Sequence, residues 1–408
     1  NDTEYEFRPG TEFAYLTGCY EHDAVLVITP EDEKLYLRPR APRENTDFFL
    51  KAHGELWVGP RHTLSGYQTL YGITCADIAE LPAVLNNLDA ASTRVRRGLD
   101  ASIDETLEGD KERDSELHTF LGEQRLIKDD WEIAQLVDAV DATVRGFEDI
   151  VRALPADRES PERLVDGVFG MRARHDGNWV GYQNIVAAGS HATTLHWWRN
   201  NGTCRPGELL LVDAGVENVH YYTADVTRTI PVSGQFSATQ RLIYDIVYEA
   251  QEAGFAAVRP GATWESVSEA CMRVLANGLE SLGILPVPAA DALSPENLTY
   301  KRWTLHSFGH MLGIDVHDCE GARREEYRGG VLKPGMVLTV EPGLYFQSDD
   351  ELVPAQYRGI GIRIEDDVLV TEDGYVNLSA GLPRHADDVE GWMVNQRARG
   401  FSLPGEND

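Results

Sequence analysis

Cysteine is too sparse in this sequence to build the sites that cysteines usually form. Five cysteines are spread over 408 residues, their number is odd, and no two stand in a CxxC pair. This pattern excludes a disulfide framework and a structural zinc site of paired thiolates. It favours a cytoplasmic protein whose thiols stay reduced. The cysteines are Cys19, Cys75, Cys204, Cys271 and Cys319.

Long apolar runs and an excess of basic residues are also missing. No apolar run approaches the roughly eighteen residues that a membrane-spanning helix needs. The formal net charge is −30, whereas nucleic acids and anionic membranes bind basic surfaces, so we expect neither as a partner. The chain begins at Asn1 rather than at a methionine. This predicts that part of the natural N-terminus precedes it, and it leaves a removed signal segment open.

The chain is long enough for two domains, and its pattern changes part way along. A hydrophobic content of 42% and a charged content of 25% are ordinary for a globular protein of 408 residues. Residues 1–122 mix short β-rich runs with turn residues and a helical patch, which predicts a small α/β domain. Residues 123–408 combine long helical patterns with strand-like runs, and we interpret them as a second, larger domain.

Amphipathic helices are predicted at several places in the larger domain. One begins near Asp129, where seven apolar residues recur at helical spacing and mark a buried face. Pro161 is typical of the first turn of another helix. Ser237, with Gln240 three residues later, predicts a capping box before an apolar stripe, and a similar stripe follows Thr263. The seven residues of the first helix are Ile133, Val137, Val140, Val144, Phe147, Val151 and Leu154.

Five potential metal ligands lie inside strand-like apolar runs or at their ends. Asp213 stands in LLLVDAGVE and Asp225 in YTADVTRT, and a hairpin would place these acids on consecutive strands. His310 follows in FGHMLGIDVHD, Glu341 in LTVEPGLYF and Glu365 in GIRIEDDVLV. An unpaired carboxylate buried in a sheet is very costly. Four acids and one imidazole in such places therefore predict a pair of divalent cations and a dinuclear metallohydrolase.

Strand periodicity places a basic residue beside one of these acids. Ile360, Ile362 and Ile364 share one face of a strand by the period-two rule. Arg363 and Glu365 then project together from the other face. The predicted site therefore contains an arginine as well as its acids.

At these motifs the chain resembles the metallopeptidases of the pita-bread fold, and especially bacterial aminopeptidase P, the Xaa-Pro aminopeptidase. The resemblance begins with DTEYEFRPGTEFAYLTGCYEHDAVLVI and continues through RLIKDDWEIAQL. It ends with VPAQYRGIGIRIEDDVLVTEDGYVNLS, the most specific of the three segments. The resemblance implies an α+β fold, in which a smaller α/β domain precedes a pita-bread catalytic domain whose helices cover a curved antiparallel sheet. It also implies removal of the first residue from peptides with proline at the second position.

The resemblance assigns a role to each of the five ligands. Asp213 is expected to bind one metal ion through both oxygens, while Asp225 and Glu365 bridge two ions. His310 and Glu341 complete the ligands of the second ion. Oxygen-rich ligation with one imidazole favours Mn²⁺, with Co²⁺ and Zn²⁺ as alternatives. Two such ions lower the pKa of a water between them, and Glu341 is expected to take and return the proton.

The resemblance further implies an outer set of catalytic side chains. His306 and His317 are expected to donate a hydrogen bond to the oxyanion that develops at the scissile carbonyl, while His196 steadies the substrate. Arg363 is expected to orient a ligating carboxylate, with Tyr345 in the same network. Self-association to a homodimer or homotetramer is also implied, with the N-terminal domain lying against a neighbour and helping to wall the active site.

Several of these charged residues also have an ordinary structural interpretation when each is taken alone. Asp225 could cap a turn or pair with Arg228, and Glu341 could belong to a plain Glu-Pro-Gly turn. His317 could form an ion pair with Asp318. The segment IEDD could be a solvated strand end.

The same holds for several neutral residues. His310 could be a core histidine, and Tyr345 could serve packing alone. Trp197 and Trp198 are expected in the core or in a pocket wall, and Cys319 is expected to be an inert buried thiol.

Rival functions are separated by a few features of the chain. A prolidase would run the same chemistry on dipeptides, and it needs a group that captures the dipeptide carboxylate, which the sequence does not identify. A non-catalytic binding member of the fold or a metal-free hydrolase of the creatinase type would have lost metal ligands, whereas this sequence contains all five. A methionine aminopeptidase would not carry the sizeable N-terminal domain.

Overall fold

The computed structural model describes residues 5–51 and 53–406. The predictions about Asn1 and the start of the N-terminal domain therefore fall partly outside the described residues. The chain separates into two compact units, Asn1–Leu121 and Gly122–Asp408. None of the helices in the described ranges is both long enough and apolar enough to cross a bilayer.

The first unit combines short helices with a three-stranded mixed sheet. Strands β1 (Val25–Ile28) and β2 (Glu33–Leu37) pair antiparallel, and β3 (Thr74–Asp77) pairs parallel to β2. Leu35 and Leu37 of β2 are fully buried in one apolar cluster with Tyr67. The helices are α1 (Thr11–Thr17), α2 (Glu55–Val58), α3 (Leu64–Tyr71), α4 (Leu81–Leu85), α5 (Ala101–Thr106) and α6 (Lys111–Gln124), the last of which ends in the second unit.

The first half of the second unit is a sheet covered by two long helices, α7 (Asp130–Ala153) and α8 (Glu162–Asp176). Three of its strands pair antiparallel in the order β10 (Val226–Pro231), β8 (Leu209–Ala214) and β6 (Ile185–Ala188). Leu210 and Val212 of β8 pack against these helices, so alternation turns Asp213 to the opposite face. The strands of this half are β4 (Ser160–Pro161), β5 (Trp179–Val180), β6 (Ile185–Ala188), β7 (Thr203–Cys204), β8 (Leu209–Ala214), β9 (Val216–Glu217) and β10 (Val226–Pro231).

The second half repeats this layering of helices on sheets. Helices α9 (Ala238–Ala257) and α10 (Trp264–Ser281) share a core with the strands that follow them. An antiparallel bridge between Thr227 and Glu365 connects the two halves. The remaining elements are α11 (Ala289–Ala292), β11 (Val337–Val340), β12 (Gly343–Tyr345), β13 (Gly361–Arg363), β14 (Asp366–Val370), β15 (Tyr375–Asn377) and α12 (Ala386–Arg399), with sheets in the orders β11–β14–β15 and β12–β13.

The predicted helix starts agree closely with the structure. Asp129 caps α7 in a capping box with Glu132, and Ser237 forms the predicted capping box with Gln240 at the start of α9. Pro161 directly precedes α8 and occupies its N-cap position rather than its first turn.

The buried face of α7 differs from the predicted stripe at its N-terminal end. Leu136 is fully buried there, whereas Val137 is 37% exposed. Small residues also belong to the buried face, since Ala139 and Ala142 are buried and a Cβ on Gly146 would lie 2.6 Å from the Phe169 ring. A stripe chosen by apolar side chains alone therefore misses part of this face.

Candidate active site

Asp213 and Asp225 reach the same region from neighbouring strands. Asp213 lies in β8, opposite Thr227 of β10, and Asp225 directly precedes β10. The two strands pair antiparallel as expected, and the pairing continues beyond them, because Glu217 bridges Thr223 and the N–H of Asn218 donates to the carbonyl of Tyr222 at 2.9 Å. The connection is therefore a hairpin, as predicted. The backbone N–H of Asp225 donates to Oδ2 of Asp367 at 3.1 Å, which fixes the backbone at this acid.

Asp225, His310 and Glu365 form a buried group whose ligand atoms all lie within 4.8 Å of one another. Nε2 of His310 lies 3.3 Å from Oδ2 of Asp225 and 3.8 Å from Oε1 of Glu341. The other ring nitrogen, Nδ1, donates to the carbonyl of Met311 at 3.1 Å. This hydrogen bond orients the ring so that Nε2 faces the carboxylates, as in a metal-binding histidine.

A close approach of two backbone segments positions His310 and Glu341. A Cβ on Gly309 would lie 2.0 Å from the carbonyl oxygen of Thr339, so only glycine fits there. The N–H of Thr339 then donates to the carbonyl of His310 at 2.9 Å, and the N–H of His310 donates to the hydroxyl of Thr339 at 3.1 Å. The N–H of Glu341 donates to the carbonyl of Phe308 at 2.7 Å. The loop that carries His310 is thereby attached to β11 and to the residue that follows it.

Arg363 connects Asp213 with Tyr345. One guanidinium nitrogen of Arg363 donates to Asp213, and the other terminal nitrogen donates to the hydroxyl of Tyr345 at 2.9 Å. Its Nε lies 3.1 Å from the hydroxyl of Thr227, which in turn donates to Glu365 at 2.6 Å. As the strand alternation predicted, Ile362 and Ile364 are fully buried on the opposite face.

Tyr182 is a residue that the sequence argument did not find. Its hydroxyl lies 2.7 Å from Oδ1 of Asp213 and also contacts Oδ1 of Asp225, so it joins the two acids. The available signal was the preceding glycine. A Cβ on Gly181 would lie 1.7 Å from Oγ1 of Thr223, which marks a close approach of this segment to the sheet.

His306 belongs to a chain of hydrogen bonds that starts at Arg363. Burial, with a smaller effect of the Arg363 charge, lowers the pKa of His306 to about 3, so the ring is neutral. Its Nδ1 donates to the carbonyl of Ser307 at 2.7 Å, and Nε2 lies 2.8 Å from the hydroxyl of Tyr345. Since a neutral ring carries one N–H, Nε2 accepts the hydrogen of Tyr345. Nδ1 also lies 3.4 Å from Oε2 of Glu341.

His317 and His196 lie at exposed positions around the acids. The ring of His317 meets the ring of His310 edge-on, with 4.3 Å between centroids. Burial and the charge of His310 lower the pKa of His317, and the charge of His196 lowers it further. His196 stacks on Trp198 at 5.0 Å. In the described part of the chain, no hydrogen bond joins the His196 side chain to the five predicted ligands.

The electrostatics of the site favour a bound cation. Burial raises the pKa of Asp213, Glu341 and Glu365, and mutual repulsion between the acids raises it further, although Arg363 opposes this shift. Burial alone would lower the pKa of His310, but the hydrogen bond and charge of Asp225, together with Glu341, raise it to about 9. Carboxylates crowded in this way fit a site that binds divalent ions through oxygen.

Two of the ordinary interpretations are wrong. Arg228 donates to Asp366 at 2.7 Å rather than to Asp225. Asp366 and Asp367 are fully buried, so the segment IEDD is not a solvated strand end. Asp366 is stabilised by Arg228, by the hydroxyl of Ser379 at 2.7 Å and by Gln251.

The structure also tests the expectations for Asp318, Cys319 and the two tryptophans. Asp318 pairs with Arg125 and Lys128 instead of His317. Trp197 is partly buried against a small apolar cluster, whereas Trp198 is 49% exposed. Cys319 is buried, and burial raises its pKa to about 12, as expected for an inert thiol.

The fold and this site define a metallopeptidase with a separate N-terminal domain. Residues 134–372 match the model of metallopeptidase family M24, and residues 1–95 match the aminopeptidase P N-terminal domain. The chain belongs to metallopeptidase family M24. Members of this family use divalent metal ions, and the group of Asp225, His310 and Glu365 is a candidate site for one.

The relatives that match carry closely similar names. Xaa-Pro aminopeptidase 1 of Streptomyces coelicolor is 56% identical over 401 residues, which cover 97% of this chain and 81% of the relative. Xaa-Pro aminopeptidase of Escherichia coli is 35% identical over 418 residues, covering 97% and 91%.

Solved structures agree with this relationship. Aminopeptidase PepP of Pseudomonas aeruginosa superimposes with a TM-score of 0.85 at 30% identity, covering 98% of this chain and 91% of that one. A variant of Escherichia coli aminopeptidase P in complex with substrate gives a TM-score of 0.85 at 32% identity, covering 98% and 92%. The predicted α+β pita-bread fold with a smaller N-terminal domain is confirmed.

Proposed function

We propose that this chain is an Xaa-Pro aminopeptidase, a metal-dependent peptide hydrolase that removes the first residue from peptides with proline at the second position. The observation that carries the proposal is the buried group of Asp225, His310 and Glu365, in a chain that matches named Xaa-Pro aminopeptidases over nearly its full length. The X–Pro amide has no N–H, so a pocket that accepts the proline ring is needed.

Asp213, Asp225, His310, Glu341 and Glu365 would hold two divalent ions in this proposal. Oxygen-rich ligation with a single imidazole favours Mn²⁺, with Co²⁺ or Zn²⁺ as alternatives. When bound, such ions supply a nucleophilic water at neutral pH and polarise the scissile carbonyl. The raised pKa values of Asp213, Glu341 and Glu365 support this assignment, because these acids lack enough positive charge from the protein itself.

The role of taking and returning the proton is assigned to Glu341. Burial raises its pKa, which suits a carboxylate that both takes and returns a proton near neutral pH. Nδ1 of His306, 3.4 Å from Oε2 of Glu341, would hold this carboxylate in place. Tyr345 would in turn hold His306 through its hydrogen bond at 2.8 Å, while Arg363 would hold Tyr345 at 2.9 Å and also donate to Asp213.

Hydrogen-bond donation to the oxyanion is assigned mainly to His317. Both nitrogens of His306 are already engaged, by Ser307 and by Tyr345, so His306 has no free N–H to donate in this arrangement. His317 is exposed beside His310 and can turn an N–H towards a substrate carbonyl. His196, stacked on Trp198 at an exposed position, would steady the peptide.

A prolidase is the second candidate, and substrate length separates the two. The experiment offers chelator-stripped enzyme, with and without Mn²⁺, an Xaa-Pro-Xaa tripeptide and an Xaa-Pro dipeptide, and quantifies the free first residue. Metal-dependent release from the tripeptide supports the aminopeptidase. Release from the dipeptide alone favours the prolidase, and no release from either, with metal bound, rejects a proline-peptide substrate.

We further propose a homodimer or homotetramer with domains at residues 1–122 and 123–408. A cluster of exposed apolar side chains in the first unit supports self-association, since Leu56, Trp57 and Val58 are 69%, 71% and 58% exposed. A Trp57→Ser variant should shift the mass measured by light scattering towards the monomer. A cytoplasmic location is proposed because all five cysteines are free.

A further inference from the structure

A buried cluster of three charged side chains lies directly behind His317. Asp318 is 1% exposed, and Arg125 and Lys128 are each 3% exposed. Nη1 of Arg125 lies 2.7 Å from one carboxylate oxygen of Asp318, and Nζ of Lys128 lies 3.0 Å from the other. We call these three residues the Asp318 cluster. Both oxygens of the central carboxylate are thus held by cations.

Stability alone is a weak reason for such a cluster. Removing charges from water is costly, and apolar residues of similar volume often serve a protein core equally well. Two cations face the one central acid, while Asp315 lies 3.6 Å from Arg125 at the edge and the charge of Glu132 also acts on Lys128. A buried ion pair does, however, impose a defined geometry on the backbone that carries it.

Asp318 also contacts the loop that carries His317. The N–H of Asp318 donates to the carbonyl of Met311 at 3.0 Å, which closes the loop at its base. A Cβ on Gly313 would lie 2.2 Å from Oδ2 of Asp318, so the carboxylate lies tightly under the loop. Cys319 follows with a φ of 61°, in the left-handed region that a non-glycine residue seldom adopts.

Lys128, which pairs with Asp318, lies in the segment before α7. The backbone N–H of Lys128 donates to the carbonyl of Gly335 at 2.8 Å, which fixes the start of the lysine side chain. Asp318 is thereby held against a rigid element of the fold. The residue before it, His317, projects to the ring of His310 with 4.3 Å between centroids.

We propose that Lys128 and Arg125 are positioning residues for His317, acting through the carboxylate of Asp318. The inference rests on the proposed function, in which His317 faces the substrate. Misplacing a catalytic group by about 1 Å can cost about a hundredfold in rate. Loosening this support should therefore lower kcat while the bound metal and the affinity for the peptide change little.

The test is a double-mutant cycle with Lys128→Met and His317→Ala, read as kcat on an Xaa-Pro-Xaa tripeptide. Methionine keeps the length of the lysine side chain, and it leaves Asp318 paired with Arg125. We expect Lys128→Met to lower kcat about tenfold in the wild-type background. In the His317→Ala background the same substitution should have no further effect, because the group that it positions is gone.

Controls separate positioning from general destabilisation. Lys333→Met breaks an ion pair with Glu326 at 3.0 Å whose side chains are 47% and 37% exposed, and it should leave kcat unchanged. If Lys128→Met does not fold, Lys128→Arg, which keeps the charge but changes the reach, takes its place in the same cycle. Bound metal is measured in every variant.

Three results would overturn the inference. They are an unchanged kcat in Lys128→Met, an equal fall of kcat in both backgrounds, and a loss of metal that accounts for the fall. Wild-type enzyme that does not release the first residue from the tripeptide would instead reject the proposed function, so the two failures can be told apart.

Discussion

The hydroxyl of Tyr345 lies 2.8 Å from Nε2 of His306 and donates its hydrogen to that nitrogen. The direction of this bond follows from the neutral ring of His306, whose single N–H is used by the carbonyl of Ser307. Tyr345 itself accepts a hydrogen from Arg363 at 2.9 Å. The histidine is therefore the end of a chain that begins at a buried guanidinium, and it faces Glu341 through Nδ1.

We expect His306→Ala to lower kcat by about a hundredfold, because Glu341 loses the ring that holds its carboxylate in place and misplacing a catalytic group by about 1 Å can cost that much. Bound metal should not change, because His306 is not among the predicted ligands. The shape of the pH–rate profile should not change either, since a histidine with a pKa of about 3 does not titrate near neutral pH. His175→Ala, at an exposed position on α8, is the matched control. Loss of metal in His306→Ala would contradict the assignment of His306 as a residue that does not bind the metal.

Asp225→Asn and Glu365→Gln are each expected to abolish turnover. Both side chains lie in the buried group with His310, and each substitution removes a charge that would bridge two ions. The measurements are kcat and bound metal per chain, with the exposed Asp349→Asn as control. A variant at either position that kept a rate near that of the wild type would show that the ligand assignment is wrong.

Strand alternation predicted part of this site because it is a local rule. Once Ile362 and Ile364 define the buried face, Arg363 and Glu365 must share the other, and the structure places them there. Local rules also found the capping box of Ser237. The five predicted ligands needed motifs as well, since an acid at a strand end is common.

Contacts between distant segments explain what the sequence argument missed. Tyr182 meets Asp213 across 31 positions and Asp225 across 43 positions of the chain, and the glycine beside Tyr182 indicates a close approach without indicating either acid. Arg228 reaches Asp366 across 138 positions in the same way. Such pairs depend on how distant segments of a fold meet, which periodicity within one strand does not specify.

Tyr182→Phe is expected to weaken metal binding by about tenfold, the lower end of the loss seen when a partner of a ligand is removed. The substitution takes a donor away from two neighbouring carboxylates, whose repulsion then rises. Metal affinity would be measured by competition with a chelating dye. Tyr244→Phe, which removes a buried hydrogen bond of 2.7 Å to the carbonyl of Arg384, is the control. An equal loss of affinity in both variants would count against a specific role.

Removing divalent cations is expected to make the stability of the protein fall as the pH rises. Burial, together with the charges of Asp225 and Asp213, raises the pKa of Glu341 from 4.5 to about 7. Between these values the folded protein holds a proton that the unfolded chain has released, so the free energy of unfolding decreases with increasing pH. The contribution of this group is fully present below pH 4.5 and is lost as the pH passes about 7.

Added Mn²⁺ should remove this dependence, because a bound cation favours the ionised carboxylates and binds more tightly once they have lost their protons. The gap between the melting temperatures of loaded and chelator-stripped protein should therefore widen from about pH 5 to about pH 7. Glu341→Gln, which cannot titrate, should reduce the slope of the stripped protein. A difference in melting temperature that stays constant or narrows over this range would mean that a metal ion does not compete with protons for these carboxylates.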